Sequence, residues 1–137
     1  MSDRSPAPAA ASTPTASPAA APSATALAGL LAVAGATHFL APKPFDAIVP
    51  RALPGRARTW TYVSGVAELT VAAALANPRT RRAGGWMAAG LFLAVLPANV
   101  QMAMDWRDRA PALRAAAWGR VPLQVPLVVR SLRIARG

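Results

Sequence analysis

Among the polar side chains inside otherwise apolar stretches of this 137-residue chain are His38, Ser64, Glu68, Asn99, Gln101, Arg120 and Gln124. His38 is the chain's one histidine. Beside a carboxylate, an imidazole can take up and release a proton near neutral pH. Glu68 and Arg120 carry opposite charges, and in a poorly solvated surrounding each stabilises the ionised form of the other. The amides of Asn99 and Gln124 and the hydroxyl of Ser64 both donate and accept hydrogen bonds. Such a set could specify how helices pack, line a pocket for a small or lipophilic molecule, or carry a proton or ion. Thiol redox chemistry, disulfides, cysteine-ligated metals and iron–sulfur clusters are excluded, because there is no cysteine. A zinc site or a bis-histidine haem needs ligands that one histidine does not supply. No cofactor is expected, and no nucleophile with its base can be assembled, so the reading leans away from an enzyme.

Positioning these groups falls to four long apolar segments, 24–41, 60–77, 83–104 and 115–134. Each has roughly 18–22 residues and as a helix would reach about 27–33 Å, enough to cross a hydrocarbon core. Composition supports lipid as the solvent. The residues AVILMFWYC make up 54% of the chain and charged residues 15%. A soluble domain carries about 25% charged residues, and one this small buries only about two-thirds of its surface. Trp60, Trp86, Trp106 and Trp118 all fall near segment ends, where an indole meets both an apolar and a wet surrounding. The expected fold is therefore all-α, an integral membrane four-helix bundle.

Alternating crossings then set the depth of each polar group. His38 lies about 6 Å in from Pro42, Glu68 about 12 Å in from Trp60, and Asn99 about 10 Å in from Trp106. Arg120 and Gln124 lie about 3 and 9 Å in from Trp118. All belong to one half of the bundle, so four segments contribute to one buried polar layer. Ionisable groups at such depth face the interior and find partners. The expected pair is Glu68 with Arg120. Ser64, Gly65, Glu68 and Ala72 share a stripe of mostly small residues suited to close packing, and Arg120, Gln124 and Ser131 share another.

Residues 1–23, rich in Ala, Pro, Ser and Thr with five prolines, are expected to be a disordered tail rather than a cleaved secretory signal. The stretch from Pro42 to Pro50 brackets about one helical turn, with Phe45, Ile48 and Val49 on one face. It is expected to cap the bundle rather than lie flat on the bilayer. The formal net charge is +10. Its arginines are scattered between apolar runs without a recognition motif, so nucleic acid is not the expected partner. Counted as membrane loops, lysines and arginines tie across the two sides. The dense Arg79, Arg81 and Arg82 turn and the basic C-terminus favour both termini in the cytoplasm.

The order of motifs resembles the DoxX-like membrane proteins: His38-Phe39 with Pro42, then Ile48-Val49-Pro50 and Leu53-Pro54, then Ser64-Gly65-Val66-Ala67-Glu68-Leu69, then Pro97-Ala98-Asn99, and last Arg120-Val121-Pro122-Leu123-Gln124. The resemblance spans roughly residues 24–134. It implies a small, mostly bacterial, multi-pass protein of the inner membrane, acting as a non-catalytic subunit or anchor beside redox or quinone-linked complexes. The expected partners are the lipid bilayer, other membrane or redox proteins, or a quinone-like small molecule. The competing expectation is a protein that binds or transports a small molecule, such as a quinone, through the buried polar layer.

Overall fold

The computed structural model describes residues 20–137; residues 1–19, most of the expected tail, lie outside the described residues. The fold is all-α, with no strand among the described residues. Its elements are α1 (Ala20–Leu40), α2 (Pro42–Asp46), α3 (Ala57–Ala76), α4 (Arg81–Asp105) and α5 (Pro111–Arg136). The four long helices match the four apolar segments but extend past most of their ends. α1 begins at Ala20, inside the stretch expected to be tail. Pro22 sits in its first turn, where a missing N–H costs nothing because those groups have no intrahelical partner. α5 begins at Pro111, whose fixed φ suits a first helical position. Pro97 lies inside α4, and Pro122 and Pro126 lie inside α5, and neither helix ends at them. α2 is the single turn expected between prolines.

Short connections make sequential long helices antiparallel. α1 packs along α3, α3 against α4 and α4 along α5, while α1 and α5 touch only slightly. Glycines set the close approaches. A Cβ on Gly65 of α3 would lie 2.9 Å from His38 Cβ and 3.1 Å from the Gly35 carbonyl of α1. Two adjacent glycines serve both neighbours of α4. A Cβ on Gly84 would lie 2.8 Å from the Leu75 nitrogen of α3, and one on Gly85 would lie 2.5 Å from the Ala135 nitrogen of α5. Side chains larger than hydrogen would force these backbones apart.

The Asn77–Thr80 turn closes the last turn of α3. The Thr80 hydroxyl donates to the Ala74 carbonyl at 2.9 Å and Arg81 Nε donates to the Leu75 carbonyl at 3.3 Å. Both carbonyls belong to the group a helix C-terminus leaves unbonded. Arg82 Nε does the same for the Ala135 carbonyl of α5, at 3.2 Å. The α3–α4 turn is thereby tied to the C-terminal end of the chain.

Two apolar clusters form the core. The larger joins Leu27, Leu31, Val71, Leu75, Phe92 and Ile134, with alanines between them. The smaller joins Met102, Ala103 and Ala117, with Ile48, Trp106 and Val121 packed against it. α1 over Ser23–Leu40 and α4 over Arg81–Asp105 are long and apolar enough to cross a membrane, and 33% of each span is buried inside the chain. Large apolar side chains face outward on all four long helices, among them Val33 at 69% exposure, Val66 at 56%, Leu93 at 57% and Val125 at 65%.

Candidate functional site

The polar groups lie between the two apolar clusters. Along α4, Asn99 falls between Phe92 and Met102; along α5, Gln124 falls between Ala117 and Ile134. His38, Asn99, Gln124 and Ser131 are buried, and Ser64 and Glu68 are half-buried. Each of the four long helices thus turns a polar side chain to the interior.

His38 and Glu68 form its centre. Gly65 lets α1 and α3 approach closely enough for His38 Nδ1 to lie 3.3 Å from Glu68 Oε2. The same Nδ1 lies 2.8 Å from the Ala34 carbonyl oxygen. A carbonyl only accepts, so Nδ1 carries the proton and donates it there, and in the neutral ring Nε2 is the remaining acceptor. Among the described residues, Glu68 Oε2 is buried without a hydrogen-bond partner, and so is Gln124 Oε1. The imidazole stacks on Phe45, with ring centroids 3.8 Å apart and planes at 25°.

That stacking comes from α2, held over the pair by a second set of contacts. Asp46 accepts from the Thr61 hydroxyl at 2.6 Å and from Arg58 Nε at 2.8 Å. The Thr61 hydrogen bond, and after it the Arg58 guanidinium, hold the Asp46 carboxyl below the usual carboxylate range. Phe39 stacks on Tyr62 at 5.2 Å, and the Arg58 guanidinium lies 5.7 Å from that ring's centroid. Ile48, just beyond α2, packs on the Met102, Ala103 and Ala117 cluster. The Pro42–Pro50 stretch thus caps both helix pairs, as its apolar face suggests.

One pairing differs from expectation. Arg120 is exposed and does not meet Glu68. The reason is helix order: α3 packs on α1 and α4, whereas α5 packs on α4, which places α3 and α5 diagonally. The carboxylate's ionic neighbour is the histidine of the adjacent helix. Sequence reasoning also passed over Asp46, Thr61 and the Gly84–Gly85 pair. A carboxylate between two prolines with an arginine twelve residues later offers no periodic signal. Adjacent glycines near a helix start read as turn residues rather than as two interhelical contacts.

Chemically, the site presents two buried acceptors that lack donors among the described residues, Glu68 Oε2 and Gln124 Oε1. Around His38 and Glu68 the interior is tightly packed. A Cβ on Gly35 would already lie 2.9 Å from Leu69 Cγ and 3.1 Å from Glu68 Cβ. The arrangement suits a polar lock between helices.

No curated protein and no solved structure matches this chain. A family model does match over residues 27–135, and it is not that of the DoxX-like proteins, so that resemblance is overturned. The redox and quinone-linked associations rested on that resemblance and lose its support. By the match over most of its length, the chain belongs to the family described as Domain of unknown function (DUF8561).

Proposed function

We propose that this chain is a multi-pass integral membrane protein without a catalytic centre of its own, in which all four long helices cross the bilayer and the polar interior fixes how they pair. It serves as a membrane-embedded subunit or anchor in the plasma membrane. The observation that carries this reading is that large apolar side chains face outward on every long helix while several polar ones turn inward. Leu30, Val33, Val66, Leu93, Leu123 and Val125 are exposed, while His38, Asn99, Gln124 and Ser131 are buried. A water-soluble domain of this size rarely leaves such contiguous apolar surface uncovered, whereas in lipid the outward faces are apolar and polar groups turn inward. α3 and α5 lack an apolar stretch as long as those of α1 and α4, yet they lie alongside them. A neighbour packed along a spanning helix traverses the same slab.

Orientation follows from charge. The short α3–α4 turn sets Arg79, Arg81 and Arg82 close together, and the C-terminal end adds Arg130, Arg133 and Arg136. The opposite end carries Lys43, Arg51, Arg56, Arg58, Arg107, Arg109 and Arg114, spread over a longer stretch of chain. We place the all-arginine end, with both termini, in the cytoplasm. Alkaline carbonate extraction of membranes from expressing cells tests insertion: the protein is expected to stay in the pellet, and release into the supernatant overturns the reading.

The unpartnered acceptors favour one further use of the same residues, transient binding of a small hydrogen-bond donor at Glu68 or at Gln124. Glu68→Gln separates the two roles. It keeps the shape of the side chain, so a packing role predicts wild-type folded yield in detergent. Glu68→Ala is expected to reduce that yield through the space it leaves. A growth or transport defect of Glu68→Gln at full yield would identify the binding role.

A further inference from the structure

Outside the polar layer, one groove on the outer flank of α4 combines an apolar trough with two opposite charges. It encloses about 680 Å³ and is lined by Leu93, Pro97, Val100 and Met104, with Arg51 and Asp105 among its walls. Leu93, Val100 and Met104 are exposed at 57%, 37% and 54%. Arg51 follows the α2 cap and Asp105 is the last residue of α4, so both charges lie at the loop end of the helices. Neither takes part in an ion pair among the described residues.

Resting on the membrane reading above, we infer that this groove binds one phospholipid with a primary-amine zwitterionic headgroup, of the phosphatidylethanolamine class. Three features of the groove correspond to three parts of that molecule. The Arg51 guanidinium offers a fork of donors to a phosphate. The Asp105 carboxylate accepts from an ammonium that carries N–H donors. The apolar wall from Asp105 to Leu93 runs about 18 Å along the helix, against about 15 Å for the acyl region of one leaflet. A choline headgroup has no N–H to give Asp105. A purely anionic headgroup satisfies Arg51 but sets a negative charge beside an unpaired carboxylate. The cation–anion pair in one groove is what selects among them.

The test uses the full chain, purified in detergent and exchanged into nanodiscs of equimolar phosphatidylethanolamine, phosphatidylcholine and phosphatidylglycerol, with retained lipid read by native mass spectrometry. One phosphatidylethanolamine per chain is expected, favoured about tenfold over the other two. Asp105→Asn should abolish the preference over phosphatidylcholine, and Arg51→Gln should weaken retention of all three. Both residues are exposed, so folding is not at stake. Leu93→Trp, which fills the trough while leaving both charges in place, should also remove the bound lipid. Equal retention of the three lipids, or preference unchanged in Asp105→Asn, overturns the proposal. So does a disulfide-linked dimer formed through Val100→Cys, which would show the groove covered by a second copy. Carbonate extraction of the same variants keeps the two readings apart. Protein that stays in the membrane without lipid preference overturns the lipid site alone, and protein released to the supernatant overturns both.

Discussion

Asp46 shows how a single residue can organise a site it does not belong to. Its carboxylate holds α2 against the first turns of α3 through Thr61 and Arg58, and α2 in turn presents Phe45 to the His38 ring. Because these partners depress the Asp46 pKa in the folded chain, the folded state holds that proton less tightly than the unfolded state does. The contribution is therefore complete above the unfolded value of about 3.9, and it is lost as pH falls through that value towards the lower folded one. Thermal unfolding in detergent between about pH 5 and pH 2.5 should show a loss of stability in the wild type that is reduced in Asp46→Asn. Parallel acid profiles for the two proteins would remove Asp46 as the anchor of the cap. The His38–Glu68 contact depends on the same local order, since the imidazole's proton is already committed to the Ala34 carbonyl at 2.8 Å. The carboxylate is a neighbour of that proton rather than its acceptor.

At the scale of the helices, glycine placement decides which surfaces meet. Gly65 and Gly35 face one another across α1 and α3, and a methyl group on Gly65 would lie 2.6 Å from Phe39 and 2.9 Å from His38 Cβ. Gly29, on the same α1 helix, has nothing within 4 Å of an added Cβ. Gly65→Ala should therefore destabilise the fold by about 1–3 kcal/mol through forced separation of the helices. Gly29→Ala should stabilise it by about 0.5–1 kcal/mol, because alanine is the better helix former. Denaturant titration of both variants in detergent reports the signs, and a shared sign would mean that α1 and α3 do not meet at Gly65. The prolines inside α4 and α5 act differently. Each removes one backbone donor without ending its helix, so neither helix needs a re-entrant break.

The molecule as a whole has two unlike ends. One gathers the α3–α4 turn and the C-terminus, where Arg81 and Arg82 hydrogen-bond the last carbonyls of α3 and α5. The other holds α2, the Asp46 contacts and the apolar groove of α4. If the four helices cross the bilayer, these ends face opposite compartments. The chain contains no cysteine, so single cysteines report without a background. Cysteines at Gly55 and at Arg79 should be modified by a membrane-impermeant maleimide from opposite sides of sealed vesicles. Cysteines at Gly29 and Gly90, each with open space around the added side chain, should stay unmodified until detergent is added. Labelling of positions 55 and 79 from one side would contradict the crossing pattern.

What the sequence by itself determined is the local part of this protein: how many long helices there are and roughly where they begin and end. Those follow from local quantities, namely runs of apolar side chains, proline positions and a rise of about 1.5 Å per residue. Only the tertiary structure decided who meets whom. Glu68 lies beside His38 rather than Arg120 because α3 neighbours α1 and α4 while α5 lies across the diagonal, and helix order is not encoded in any one helix. Asp46 finds Thr61 and Arg58, and Gly84 and Gly85 face two different helices, for the same reason. Each contact joins side chains through backbone geometry far apart in the chain, so its energy appears only once the helices have packed.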